Sequence, residues 1–128
     1  MNILLDTCAY LWLTTDAPEL SVRAKTVFQD SHNSVYLSSV SIWEIFVKHQ
    51  IGKLPLPEAA EDFIKRQCKQ HFIDYLPLTE SAVFQLSRLP YHHRDPFDRM
   101  LVCQALAHNL TILTSDSMIS QYPVPVMW

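Results

Sequence analysis

A small set of acidic side chains in this sequence could do chemistry together. Asp6 closes the apolar run NILL at 2–5, and Glu44 lies between Ile42, Trp43 and Ile45, Phe46, Val47. Asp95 and Asp98 straddle Pro96 and Phe97 in HRDPFDRMLV (93–102), and Asp116 follows TILT (111–114). Each has a local explanation. Asp6, Asp95 and Asp116 can cap the helices that follow them. Ser41 and Glu44 have capping-box spacing, and Asp98 suits the positive end of a helix dipole. Gathered at one place, however, such acids would repel one another, and like charges packed together either raise a pKa or recruit a cation. Carboxylate oxygens suit hard divalent ions such as Mg2+ or Mn2+. The chemistry of such a site is metal-assisted hydrolysis of a phosphodiester.

Whether they gather depends on the elements that carry them. Apolar or β-branched runs at 2–5, 34–38, 72–76, 111–114 and 124–127 read as strands, the last as an edge strand that tolerates Pro125. Helical spacing covers TCAYLWLTT (7–15), 21–31 with Val22, Ala24, Val27 and Phe28 on its apolar side, and a long segment from Ser38 or Ser39 that stops at Gly52. Further helices read at 58–70, 79–89 and from Asp95 to Asn109, with a short helical turn at 116–121. Strand and helix alternate, which argues for α/β architecture: a mainly parallel sheet of four or five strands with helices on both faces. A helix that follows a strand starts at that strand's carboxyl edge. A helix that precedes a parallel strand starts there too. Asp6, Glu44, Asp98 and Asp116 therefore collect at one rim, where ligands of such sheets bind. A helix capped by Ser38 or Ser39 puts Glu44 beyond its first turn, which weakens the capping-box reading.

Bulk properties narrow the alternatives. The chain has 128 residues, 48% hydrophobic and 18% charged, which fits one ordered domain over 1–128. A net charge of −3 and a pI near 6.0 argue against holding nucleic acid mainly by a basic surface, although a metal ion can supply positive charge. Three cysteines, Cys8, Cys68 and Cys103, form no Cys-x-x-Cys pair. They point to a reducing cytoplasm, with Cys8 and Cys103 read as small core residues. No His-x-x-x-His spacing supports zinc, and His92-His93 reads as a loop pair. One glycine rules out a glycine-rich phosphate loop. The N-terminus has no basic leader, and no apolar run is long enough to span a membrane. Arg94, Arg99 and Lys48 flank the acids as either solvated charges or phosphate contacts. Tyr10, Trp12 and Trp43 read as core or interface residues.

LLDTCAYLWL (4–13), SSVSIWEIFVKHQIGKL (38–54), LPYHHRDPFDRMLVCQAL (89–106) and LTSDSMISQYPVPVMW (113–128) together resemble PIN-domain proteins, specifically VapC-type toxins of toxin–antitoxin pairs. The resemblance implies a PIN-like three-layer fold and a ribonuclease that needs magnesium or manganese. It implies an acidic quartet of Asp6, Glu44, Asp98 and Asp116, with Asp6 and Asp98 as the main metal ligands. Asp95 matches a recurrent acid of this subgroup, and Thr7 and Ser115 would orient water or carboxylates. It further implies a homodimer and a cognate antitoxin whose segment enters the acidic groove. Segment 55–78 matches least. Two other readings are a PIN-like binding module without catalysis and a phospho-accepting receiver domain. The second would want adjacent acids at one strand end and a late lysine, but Asp6 stands alone and no lysine follows Lys69.

Overall fold

The computed structural model describes residues 1–128. Five strands form one sheet: β1 (Asn2–Leu5), β2 (Ser34–Ser38), β3 (Asp74–Leu76), β4 (Thr111–Leu113) and β5 (Val126–Met127). Their order is β3-β2-β1-β4-β5 and every pairing is parallel. Six helices connect them: α1 (Thr7–Thr15), α2 (Val22–Gln29), α3 (Ser39–Gln50), α4 (Ala60–Gln70), α5 (Glu80–Phe84) and α6 (Pro96–His108). None is long and apolar enough to cross a membrane.

β1 is central and buried on both faces, so Ile3, Leu4 and Leu5 are all apolar rather than alternating with polar residues. Ile3 and Leu5 enter a core with Tyr10 and Leu13 of α1, Ala24 of α2, Ile45 of α3, and Phe63, Ile64 and Cys68 of α4. Leu4 and Ile112 enter a second core with Val40 of α3 and Leu101, Val102 and Ala105 of α6, closed by Ile119 and Tyr122. α3 thus contributes to both layers. Gln104 of α6, fully buried, bonds the Ser38 hydroxyl and donates to Pro77 O at 3.4 Å, tying α6 to the carboxyl end of β2.

Several elements depart from the sequence reading for local reasons. β3 begins at Asp74 rather than residue 72, because Phe72 takes a left-handed φ of 56° just after α4. The helix expected over 79–89 tightens into a 3-10 turn at Gln85–Arg88. Leu89 precedes Pro90 and is held extended (φ −78°, ψ 127°), so the α-helix cannot run on. Val22 opens α2 but is 83% exposed instead of lying on its apolar side. Gly52 follows α3 with φ 78°, the left-handed conformation that glycine adopts without steric cost. Cys103 is buried as expected, but Cys8 is exposed. With Asp6 capping α1, the second helical position turns away from the sheet.

Candidate active site: an acidic cleft at the strand-order reversal

The chain runs from β1 outward to β2 and β3, then returns to the other side of β1 for β4 and β5. The carboxyl ends of β1 and β4 therefore border the point where strand order reverses, the usual ligand crevice of an open parallel sheet. A cleft of about 320 Å³ opens there, lined by Asp6, Thr7, Cys8, Trp12, Glu44, Lys48, Asp95, Asp98, Ser115 and Asp116. Five carboxylates and one lysine thus face a common space.

Asp6 is set by two strands at once. Leu5 pairs with Leu113, so the next residues, Asp6 and Thr114, are brought side by side. Thr114 Oγ1 donates to Asp6 Oδ2, and Asp6 Oδ1 accepts from Ala9 N at 2.6 Å as the N-cap of α1. Burial pushes the Asp6 carboxyl up to about 6, against the pull of these hydrogen bonds and with help from the Asp116 and Glu44 charges. Asp116 receives its position from the same turn: its N–H donates to Thr114 Oγ1 at 3.0 Å, and its Oδ1 accepts from Met118 N at 2.8 Å.

Glu44 is buried, at 4% exposure, and is not part of a capping box. Ser38 caps α3 by accepting from Val40 N at 2.9 Å, while the Ser41 hydroxyl lies 3.0 Å from Thr7 Oγ1. Thr7 Oγ1 donates to Glu44 Oε1 at 2.6 Å, and Lys48, one turn on, pairs with Oε2. Burial works to lower the Lys48 pKa, but the bond to Glu44 and its charge prevail and hold it above the ordinary value.

Asp95 and Asp98 divide their labour. Asp95 Oδ1 accepts from Phe97 N at 2.9 Å and Asp98 N at 3.0 Å, capping α6, and Pro96 fills the first helical position. Asp98 spends neither carboxylate oxygen on the helix. Burial raises its carboxyl to about 6, aided by the charges of Asp95, Asp116 and Glu44 and opposed by a bond from His93. Asp95→Ala is expected to cost about 1 kcal/mol of stability in urea denaturation. Asp95→Asn, which keeps the cap acceptor, should cost a few tenths at most; equal losses in both would show that the cap is not what Asp95 contributes.

The three basic residues differ in their access to the cleft, which Lys48 alone of them lines. Arg94 is exposed and does not line the cleft. Arg99 is 8% exposed and committed elsewhere: its Nη1 donates to Pro90 O at 2.9 Å and Tyr122 Oη at 3.0 Å, and its guanidinium stacks 4.5 Å from the Tyr91 ring centre. It is therefore not a solvated charge, and its hydrogen bonds are spent within the chain. Lys48 lines the cleft, but its ammonium is occupied by Glu44. Tyr10 is core, whereas Trp12 reaches the cleft wall and packs edge-on against Trp128 at 5.7 Å.

Thr114, Ser41, His93 and Cys8 are the site residues that sequence reasoning passed over. Thr114 carried a signal, a hydroxyl at a strand end one residue before Ser115-Asp116. Cys8 follows Asp6-Thr7 directly, but its thiol is held up to about 11 by partial burial and by the carboxylates around it, so it stays a neutral wall rather than a thiolate. The remaining donors are hard oxygens, but no three His, Cys, Asp or Glu side chains stand close enough together to hold a metal ion as they are placed.

Solved structures share this arrangement of strands and helices. VapBC2 from Rickettsia felis, bound to a DNA fragment from their promoter, superposes with a TM-score of 0.73 at 14% identity, over 99% of this chain and 98% of that one. VapBC-1 from nontypeable Haemophilus influenzae gives 0.68 at 17% identity, over 99% and 97%. FitAcB from Neisseria gonorrhoeae gives 0.66 at 20%, over 98% and 96%. These likenesses establish the fold. In sequence, the ribonuclease VapC16 of Mycobacterium tuberculosis is 40% identical over 42 residues, which is 33% of this chain and 30% of that protein's length. The family model of the PIN domain matches residues 3–125, nearly the whole sheet with the cleft at its reversal, and on that match the chain belongs to the PIN-domain family.

Proposed function

We propose that this chain, acting as one domain over 1–128, is a metal-dependent endoribonuclease and the toxin of a toxin–antitoxin pair. The observation that carries this reading is the cleft itself: Asp6, Glu44, Asp95, Asp98 and Asp116 share it with only Lys48 to offset them. Two of these carboxyls, Asp6 and Asp98, are raised to about 6, chiefly by burial and further by the acids around them, so a cation placed between them would be favoured. Carboxylate oxygens around a shared cleft suit magnesium or manganese, which keeps several waters and takes one or two carboxylates beside a substrate phosphate. Asp6 and Asp98 would hold the ion, and Glu44 and Asp116 would complete the site directly or through water. When bound, the ion would supply a Lewis acid that activates water and neutralises charge at the phosphate.

The chain's own groups then have distinct tasks. Thr114 and the first turn of α1 hold Asp6 at a fixed angle. Thr7 and Lys48 each hold one oxygen of Glu44 and so fix its carboxylate at the cleft wall. Ser115, exposed at the rim, is free to orient water or substrate. RNA as the substrate is supported by the ribonuclease relative, and the antitoxin partner by the VapBC complexes among the structural neighbours. A basic antitoxin segment would complement the cleft's charge. A homodimer working in the cytoplasm completes the reading.

The test is to incubate the purified chain, freed of any partner, with single-stranded RNA in Mg2+ or Mn2+, and in parallel with EDTA. Cleavage that needs the divalent ion is expected. Cleavage that persists undiminished in EDTA would overturn the metal site, and RNA left intact under every condition would favour a binding module without catalysis.

A further inference from the structure

Tyr122 Oη, behind the cleft, has more hydrogen-bonding neighbours than a hydroxyl can serve indiscriminately. The Arg99 Nη1–H points at it from 3.0 Å, and the His93 backbone N–H from 3.3 Å. Both are obligate donors, and together they occupy the two lone pairs of the phenolic oxygen. His93 Nδ1 lies 2.8 Å away on the remaining side. The only group left for that contact is the phenolic O–H, so Nδ1 must accept it. A neutral imidazole that accepts at Nδ1 carries its proton on Nε2. That nitrogen is 3.3 Å from Asp98 Oδ2.

We propose that Tyr122 and Arg99 fix His93 in its Nε2–H tautomer, so that the imidazole donates to Asp98 and holds that carboxylate toward the cleft. His93 and Tyr122 are thus positioning residues: neither lines the cleft, and both act through Asp98. Packing makes the arrangement rigid. Tyr122 is 3% exposed in the α6 core, the His92 ring stands edge-on to it at 4.8 Å, and Arg99 is pinned between Pro90 O and the Tyr91 ring. Buried donor chains of this kind orient metal-binding side chains, and their loss characteristically weakens metal affinity. The inference rests on the proposed function for what Asp98 does, but not for how His93 is held.

The full chain labelled with 15N in its histidines, without metal, tests the tautomer by NMR. His93→Gln identifies the His93 resonances by their disappearance. Protonated Nε2 with unprotonated Nδ1 is expected, and that pattern should change in Tyr122→Phe, which keeps the buried ring but removes the hydroxyl. Protonated Nδ1 in the wild-type chain, or a pattern unmoved by Tyr122→Phe, would overturn the proposal. The wild-type spectrum decides the tautomer even if Tyr122→Phe does not fold. Mn2+ titration supplies the second readout. Gln places an amide N–H where Nε2 stood and should keep affinity near wild type, whereas His93→Asn falls short of Asp98 and should weaken it about tenfold. Equal affinities for Gln and Asn would remove the positioning role. Absence of Mn2+ binding in the wild-type chain would overturn the metal reading of the cleft and leave the tautomer to be judged on its own.

Discussion

Asp98→Asn is expected to reduce RNA cleavage by about a thousandfold or more, equivalent to about 4 kcal/mol of transition-state stabilisation, without unfolding the chain. The substitution keeps shape and keeps an oxygen that can accept from His93 Nε2, but it removes the charge that would hold the ion. Asp6→Asn should behave alike. Its amide oxygen can still accept from Ala9 N, so the α1 cap survives. Both substitutions also relieve repulsion, because Asp98 faces the charges of Asp95, Asp116 and Glu44, and Asp6 those of Asp116 and Glu44. The metal-free variants should therefore melt at or above the wild-type temperature at neutral pH while being inactive, the exchange expected where a site is built against its own stability. Glu61→Gln is the control: Glu61 is exposed, pairs only with Lys65 on α4 and lies outside the cleft. Cleavage rates and thermal melts of the three variants check the prediction. An Asp98→Asn enzyme within about tenfold of wild type would show that Asp98 is not a ligand that the chemistry requires.

Local chemistry explains which parts of this site can be seen in the sequence. Asp6 and Asp95 are legible because a capping acid interacts with the residues just after it, and Pro96 marks the same helix start. Glu44 is legible because a charge amid Ile42, Trp43, Ile45 and Phe46 has no solvation motive. Alternation of strand and helix suffices to place these acids at one rim. It does not give strand order, because nothing local distinguishes a centre strand flanked by β2 and β4 from one flanked by β2 and β3. Hence the contact that fixes Asp6, from Thr114, joins residues 108 positions apart and is invisible until the sheet is assembled. His93 illustrates the same limit: as half of a loop pair it has no pattern, and its meaning comes from Tyr122, 29 residues away. Arg99 and Cys8 go the other way. An arginine beside an aspartate suggests a phosphate contact, and a cysteine among apolar residues suggests core. Tertiary packing buries the first under Tyr91 and turns the second out to the cleft.

The pH dependence of stability should separate a metal site from an acidic cleft that merely tolerates its charge. Asp6 titrates near 6 in the folded chain, against an ordinary value of 3.8. Between those values the folded state holds a proton that the unfolded state has lost. Its contribution is therefore fully present below about pH 4, is lost as pH rises through about 6, and is absent above that. For Asp6 this amounts to on the order of 3 kcal/mol. Asp98 adds less than its similar value of about 6 suggests, because solvent reaches part of the carboxyl and screens it. Exposed acids such as Asp30, lowered by hydrogen bonds from the His32 backbone and ring, and Glu61, lowered by its hydrogen bond from Lys65, act in the opposite sense. The clean observable is therefore the difference in Tm between wild type and Asp6→Asn, which keeps every other group. Without metal, that difference should move against the wild type as pH rises from about 4.5 to about 7. A divalent ion competes with the proton for the same oxygens and binds only the folded arrangement. Mg2+ or Mn2+ at about a hundred times its dissociation constant should restore about 2.7 kcal/mol at pH 7.5, roughly 10 °C in Tm for a chain of this length, and almost nothing at pH 4.5. The variant should show little response at either pH. If the ion stabilises wild type and Asp6→Asn equally, it binds elsewhere; if it stabilises neither, the raised carboxyls of Asp6 and Asp98 await a cationic protein segment rather than a metal.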